Sequence, residues 1–136
     1  MDVVIHHNPA CGTSRNVLKI VEAAGYRPHV IEYLETGWTR AQLLGLFAAA
    51  GLSPRQAMRT KNAKAQALAE ADDETILAAM VADPALVERP FVCTAKGVRL
   101  CRPSETVLDL IDSAPPGPFA KEDGQPIVDA QGRRIG

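Results

Sequence analysis

The sequence predicts a mixed α/β fold in which a β-α-β unit comes first, helices follow, and a β-hairpin with a last helix completes the domain. Three observations predict this order. A short β-branched run opens the chain and leads into residues with helical periodicity. The middle of the chain carries helix start and stop signals. Further along, two apolar runs flank the turn Thr-Ala-Lys-Gly at 94–97.

The β-α-β unit occupies the first part of the chain. Residues 2–6 are predicted to form a buried strand because they are apolar and β-branched and are followed by an Asn-Pro turn. A helix is predicted to start at Thr13 or Ser14 and to stop at Gly25, since apolar residues recur on one stripe. The second strand is predicted at 29–33. Such a unit packs as two parallel strands with a right-handed crossover.

The middle of the chain is predicted to be helical. Thr39 and Gln42 have the spacing of a capping box, and Gly51 ends the helix that they begin. The next stretch is polar at first and is predicted to become helical from Asp73 until a proline ends it. Residues from about 53 to 87 therefore form a helical insert before the third strand.

The last part of the chain returns to strands. Residues 91–93 and 98–101 are predicted to form an antiparallel hairpin. Ser104 is predicted to cap a last helix. The segment from about 114 to 136 is rich in proline and glycine and is predicted to be an irregular tail. This order of elements is that of a thioredoxin-like domain with a helical insert.

Length, charge and cysteine count limit the function classes. The 136 residues are predicted to form one domain over 1–136. The formal net charge of -1 gives no reason to expect a nucleic acid or a membrane surface as partner. We expect a cytoplasmic protein because no membrane span or leader is readable. The three cysteines match neither a disulfide framework nor a zinc site. We expect a monomer, since no apolar stripe is left exposed.

Cys11 is the first candidate functional residue. It lies in the stretch HNPACGTSR (7–15), between a proline turn and residues that start helices. A thiol in this position faces unpaired backbone N–H groups and the positive end of the helix dipole, which favour the thiolate and can also bind an anion. A packed, inert cysteine is the alternative interpretation. The setting in a loop favours a nucleophile.

The loop contains only one thiol. Redox proteins of thioredoxin-like fold carry C-x-x-C, and here Ser14 takes the place of the second cysteine. Catalysis would then need a thiol from outside, or from Cys93 or Cys101. Those two lie on or beside predicted strands, so we expect them to be buried in the core. A disulfide between Cys11 and Cys93 stays an alternative, limited by the strict geometry of disulfides.

Three arginines outside regular helical patterning are candidate anion ligands, because a planar guanidinium matches two oxygens at once. Arg59 lies in the polar stretch MRTKN, Arg89 precedes Pro90 at the start of a strand, and Arg102 follows a strand. A surface arginine is usually only solvated. Three of them in turn-like positions, in a chain with a loop thiol, suggest an oxyanion site.

These residues resemble those of the glutaredoxin-coupled arsenate reductases, which are ArsC-like proteins of thioredoxin-like fold. The stretches that carry the resemblance are HNPACGTSR (7–15), LSPRQAMRTKN (52–62), ERPFV (88–92) and RLCRPSE (99–105), and KEDGQPIVDAQGRR (121–134) is similar as well. The resemblance spans nearly the whole chain in register. It departs at His6, where the superfamily more often has an aromatic residue.

The resemblance implies a role for each matching residue. Cys11 would be the nucleophile that attacks arsenate, and His7 would be an auxiliary group that helps to keep the pKa of Cys11 low. The three residues that would bind the oxyanion and favour the thiolate are Arg59, Arg89 and Arg102. The remaining residues implied to line or flank the anion pocket are Asn8, Gly12, Thr13, Ser14 and Pro90.

The implied reaction is the reduction of arsenate to arsenite through a thiol–arsenic intermediate, which serves arsenic detoxification. Glutathione would be the co-substrate and glutaredoxin the protein partner, with no bound metal or prosthetic group. Two alternatives stay open. One is an ArsC-like thiol reductase without arsenate activity, and the other is a redox-linked transcriptional regulator that contacts RNA polymerase. Ser14 disfavours the regulator, which typically has C-x-x-C in this loop, and the three arginines disfavour both.

Overall fold

The computed structural model describes residues 1–135, and the chain forms two compact units. The first unit consists of Met1–Ile31 together with the chain from Arg89 onward. The second unit is the continuous segment Glu32–Glu88. The organisation as a single domain over 1–136 stays a prediction.

The first unit contains a four-stranded sheet of order β2-β1-β3-β4. Its strands are β1 (Val4–His7), β2 (His29–Glu32), β3 (Phe91–Thr94) and β4 (Gly97–Leu100). Helix α1 (Gly12–Ala23) joins β1 to its neighbour β2, and β3 is antiparallel to both β1 and β4. The predicted mixed α/β class, the β-α-β order and the hairpin are confirmed.

The register of the sheet decides which strand ends meet. β1 ends at His7, and His6 pairs with Phe91, the first residue of β3. Phe91 also pairs with Leu100, the last residue of β4. Because antiparallel neighbours run in opposite directions, the end of β1, the start of β3 and the end of β4 lie at one edge of the sheet. The candidate residues that adjoin these strand ends are Cys11, Arg89 and Arg102.

The C-terminal segment differs from the prediction of an irregular tail over about 114–136. It contains the antiparallel strands β5 (Phe119–Ala120) and β6 (Pro126–Val128). Ile127 and Val128 are buried in one hydrophobic core with side chains of β1, α1 and β3. Two adjacent apolar residues are too short a pattern to predict a strand, and the strand exists because the core covers them.

The predicted last helix is a 3₁₀-helix, Ser104–Leu110, and the prediction that Ser104 caps it is wrong. The N-cap residue is Pro103, and Ser104 is itself buried. The buried residues of the segment recur at every third position, at Ser104, Val107 and Leu110. A 3₁₀-helix has three residues per turn, so this spacing places all three on one face against the core.

The second unit is helical. Its α-helices are α2 (Tyr33–Thr36), α3 (Arg40–Ala50) and α4 (Asp73–Ala82), and its 3₁₀-helices are Ala63–Leu68 and Pro84–Leu86. The capping box of α3 is confirmed: the Thr39 hydroxyl accepts from the backbone N–H of Gln42, and the Gln42 side chain accepts from that of Thr39. Gly51 ends α3 with a φ of 71°, the left-handed conformation that glycine adopts without strain.

Helix α2 was not predicted, because its first residue, Tyr33, continues the β-branched run of the second strand. Tyr33 is buried and stacks on Trp38, with 5.2 Å between the ring centroids. This packing explains why the strand stops at Glu32. Among residues 1–135, none of the helices has the length and apolar character needed to span a membrane.

The burial of the C-terminal hairpin predicts its contribution to stability. Replacing Ile127, which is 1% exposed, with Ala is expected to lower the free energy of unfolding by about 3 kcal/mol, since it removes buried methylenes and leaves a cavity. Ile135→Ala is the matched control because Ile135 is 42% exposed. Urea unfolding of both variants measures the difference. Equal effects would show that the hairpin is not part of the core in solution.

Candidate active site at the loop between the first strand and helix

Cys11 is the N-cap residue of α1 and is half-buried. The loop that presents it is held by its own hydrogen bonds. The backbone N–H of Cys11 donates to the carbonyl of Asn8 at 3.0 Å, and the side-chain oxygen of Asn8 accepts from the N–H of Ala10 at 3.0 Å. The thiol therefore lies at the helix N-terminus, where the backbone N–H groups are unpaired.

The environment lowers the pKa of the Cys11 thiol below its ordinary value. Burial acts in the opposite direction, because it disfavours the charged form. Burial is the largest single effect, but it is exceeded by the combined effect of the backbone N–H of Ser14, the hydrogen bond and charge of Arg89, and the backbone N–H of Thr13. These donors and this cation stabilise the charged form, so they favour the thiolate.

Two of the predicted arginines lie at this thiol. Arg102 donates from Nη1 to the carbonyl of Arg89 at 3.0 Å, and the same nitrogen lies 3.9 Å from the Cys11 sulfur. The guanidinium of Arg89 hydrogen-bonds the sulfur, and its buried Nε has no hydrogen-bond partner within residues 1–135. The thiol therefore lies beside two guanidinium groups, and the buried Nε of Arg89 can still donate a hydrogen bond.

Ser14 is fully buried, and its hydroxyl organises the loop. Its Oγ is hydrogen-bonded to Nδ1 of His7 at 2.6 Å and accepts from the backbone N–H of Asn8 at 3.1 Å. Ser14 therefore links the end of β1 to the first turn of α1, in addition to the effect of its N–H on Cys11. The other predicted residues around the thiol are Gly12 and Thr13, in the first turn of α1, and the buried Pro90, whose bond to Arg89 is cis.

The other two cysteines are poor nucleophiles. Burial raises the pKa of the half-buried Cys93 and raises that of the fully buried Cys101 to about 12. Cys93 pairs with Val4, three residues before His7, and is thus about 10 Å along the strand from the loop. A disulfide needs Cα atoms within about 7 Å, so the register argues against one between Cys93 and Cys11. All three cysteines are free.

Arg59 belongs to the second unit. Its Nη1 donates to the carboxylate of Glu88 at 3.0 Å, and its backbone N–H donates to the carbonyl of Leu86. The structure therefore places Arg59 on a carboxylate of its own unit, and its assignment to the oxyanion stays a prediction. His6 is buried, and burial lowers its pKa.

One residue of the loop motif was not singled out from the sequence. Arg15 donates from Nη1 to the carbonyl of Pro9 at 2.9 Å and from Nε to both carboxylate oxygens of Glu122, at 3.0 and 3.1 Å. The sequence signal that could have identified Arg15 is its place at the end of the motif HNPACGTSR. No group of three His, Cys, Asp or Glu side chains in residues 1–135 is arranged to hold a metal ion.

The chain is similar to several known proteins. Residues 6–110 match the ArsC family. Over 98% of both chains, the sequence is 62% identical to the arsenate reductase ArsI2 of Synechocystis sp.. It is 43% identical to an arsenate reductase of Escherichia coli, again over 98% of each. The structure resembles that of an arsenate reductase from Vibrio cholerae with a TM-score of 0.77 at 39% identity, covering 82% of this chain and 98% of the other.

The pKa values predict an order of thiol reactivity. With iodoacetamide at neutral pH, Cys11 is expected to be alkylated first, Cys93 more slowly, and Cys101 only after unfolding, because the thiolate is the reactive form and burial limits access. Peptide mass spectrometry over time measures the order. Cys11→Ser is the control and should leave the rates of the other two unchanged. Early modification of Cys93 would contradict this assignment.

Proposed function

The chain belongs to the ArsC family, and from this we propose that it reduces arsenate to arsenite with Cys11 as the nucleophile. The observation that carries the proposal is the thiol of lowered pKa facing two arginines at a helix N-terminus. A thiolate and an oxyanion both need positive charge and N–H donors, and this loop offers both. The names of the relatives, which are arsenate reductases, supply the identity of the oxyanion.

The arginines have separate tasks in this proposal. Arg89, with its buried Nε free to donate, and Arg102 hold arsenate beside the sulfur. The N–H groups of the first turn of α1, at Gly12, Thr13 and Ser14, bind its oxygens as well. Arg59 is assigned to the oxyanion by the resemblance alone. Arg59 is paired with Glu88, so an oxyanion would either bind Arg59 together with that carboxylate or displace the carboxylate from it.

The loop residues keep the nucleophile in place. Asn8 holds the turn through its backbone carbonyl and its side-chain oxygen, and the Ser14 hydroxyl connects it to His7. His7 acts as an auxiliary group through that hydrogen bond, and Pro90 is a structural residue beside the site. These contacts favour one conformation of the loop, so the thiolate needs little rearrangement before it attacks.

The reaction proceeds through a covalent adduct. The thiolate of Cys11 attacks arsenic, an arsenic–sulfur bond forms, and hydroxide or water leaves. Glutathione then forms a second arsenic–sulfur bond, and a second hydroxide or water leaves arsenic. A glutaredoxin thiolate then attacks the glutathione sulfur, which forms a mixed disulfide and leaves two electrons on arsenic, reducing it from the pentavalent to the trivalent state. Hydrolysis releases arsenite and returns the Cys11 thiolate.

Ser14 supports the need for an external reductant, because a hydroxyl cannot resolve an adduct on Cys11. The raised pKa values of Cys93 and Cys101 disfavour them as internal replacements. The proposal uses glutathione as co-substrate, glutaredoxin as partner and no prosthetic group. We also propose that the chain is a monomer and that it acts in the cytoplasm, where thiols are kept reduced.

The decisive assay follows arsenate-dependent NADPH oxidation with glutathione, glutaredoxin and glutathione reductase. The unmodified chain is expected to turn over only when glutaredoxin is present, and Cys11→Ser is expected to be inactive. Cys93→Ser is the matched control and should retain activity. If Cys11→Ser turned over arsenate, the proposed nucleophile would be wrong. A chain with a reactive Cys11 but no arsenate turnover would instead be a thiol reductase or a regulator.

The dual task of Arg89 predicts a coupled effect. Arg89→Ala should raise the Cys11 pKa and lower kcat/KM for arsenate, because one guanidinium stabilises the thiolate and holds the oxyanion. The folded pKa lies below the ordinary value, so activity rises with pH until the thiolate is formed. That acid limb should move to higher pH in the variant.

Arg102→Ala should act in the same direction, and Arg99→Ala is the control, since Arg99 pairs with Asp109 on the surface. Titration of the thiolate by ultraviolet absorbance, corrected with Cys11→Ser, gives the pKa of each variant. Loss of turnover in Arg89→Ala with an unshifted pKa would refute the dual role.

A further inference from the structure

Arg15 makes two contacts that the proposed reaction does not use. Its guanidinium donates to the carbonyl of Pro9 across the loop and to both carboxylate oxygens of Glu122. It also lies against the first turn of α1, since a Cβ on Gly12 would be 3.6 Å from Arg15 Nη2. One side chain thus touches the Cys11 loop, the helix that follows it and the segment between β5 and β6.

The contact with Pro9 concerns the Pro9–Ala10 peptide unit, which is separated from Cys11 by one residue, Ala10. The carbonyl of the Pro9–Ala10 peptide is held by Arg15 at 2.9 Å. The N–H of the same peptide donates to the side-chain oxygen of Asn8 at 3.0 Å. A planar peptide that is bound at both ends cannot rotate without breaking a hydrogen bond. The position of Cys11 relative to the N–H groups of α1 is therefore fixed from both sides.

The C-terminal hairpin holds Arg15 in turn. The backbone N–H of Glu122 donates to the side chain of Asn16 at 3.0 Å, which docks the hairpin on α1 beside Arg15. The neighbouring Lys121 forms an ion pair with Glu105 at 2.6 Å, and both side chains are largely buried. Beyond them, Ile127 and Val128 are anchored in the core. Glu122 is thus presented by a well-fixed element.

We propose that Arg15 is a positioning residue for the nucleophile and that Glu122 of the C-terminal hairpin holds it in place. The ion pair is exposed and contributes little to stability by itself. Its effect comes from geometry: Glu122 accepts from Nε with both carboxylate oxygens, and the planar guanidinium held in this way donates from Nη1 to the Pro9 carbonyl. The inference rests on Cys11 being the proposed nucleophile, but it does not depend on which oxyanion Cys11 attacks.

The test compares Arg15→Ala with Lys19→Ala. Lys19 is the other cation on Glu122, at 3.6 Å, so both variants lose one positive charge from the same carboxylate, and only Arg15 contacts the loop. Arg15→Ala is expected to raise the Cys11 pKa and to slow alkylation of Cys11 about threefold, through loss of a charged hydrogen bond. Lys19→Ala is expected to match the unmodified chain.

Ionic strength separates positioning from simple charge, because Arg15 and the Cys11 thiolate also interact through space. The through-space effect of the exposed Arg15 guanidinium on the half-buried thiolate is reduced by salt, whereas a change in loop geometry is not. The effect of Arg15→Ala should therefore persist at high salt. Its disappearance at high salt, or an equal effect of Lys19→Ala, would overturn the inference.

A second variant tests the part played by the hairpin and serves if Arg15→Ala fails to fold. Glu122→Gln keeps Arg15 but removes the negative charge that holds its guanidinium in place. At high salt, where the lost charge of Glu122 counts least, alkylation of Cys11 should slow by about twofold. An unchanged rate would overturn the role of Glu122. Because alkylation and pKa need no arsenate turnover, these results stay interpretable even if the proposed activity is wrong.

Discussion

The site depends on surroundings that stabilise a negative charge on Cys11. Burial alone would favour the neutral thiol, and the charge is stabilised by N–H groups of α1 and by Arg89. Each of these partners has to be aimed at the same sulfur. The N–H groups point toward the sulfur because Cys11 is the N-cap of α1, and Arg89 is close to it because it lies two residues before the start of β3.

The sheet brings these partners together. Antiparallel pairing of β3 with β1 and with β4 gathers three strand ends at one edge, and the loop containing Cys11 leaves the same edge. Arg89 and Arg102 are distant from Cys11 in sequence, yet each is within two residues of a strand end at that edge. The interior of the sheet and α1 supply the rigidity, since Ile5, Val17 and Val92 are fully buried.

Local sequence signals predicted much of this arrangement. The capping box at Thr39 and Gln42, the stop at Gly51 and the hairpin turn at 94–97 depend on neighbouring residues, and all three are confirmed. The hairpin at Ile127 and the 3₁₀ form of the last helix depend on burial against residues far away in the chain, so local patterns could not predict them.

The candidate site likewise has a part that local sequence predicted and a part that depends on distant residues. The chemistry of Cys11 and of the arginines could be read from residue type and loop context, while the contact between Arg15 and Glu122 spans 107 positions and required the fold. Ser14 was predicted to stand in place of a second thiol and to line the anion pocket, and its buried hydroxyl was not given a structural role. Its hydrogen bonds to His7 and Asn8 depend on how closely β1 approaches α1.

The isolation of Cys11 from the other two thiols has a consequence for electron accounting. With Cys101 fully buried and Cys93 several residues along β3 from the loop, neither thiol is placed to form a disulfide with Cys11. A two-electron oxidation at Cys11 would therefore not be stored as an internal disulfide of the loop. Its reversal would need a thiol that arrives from solution.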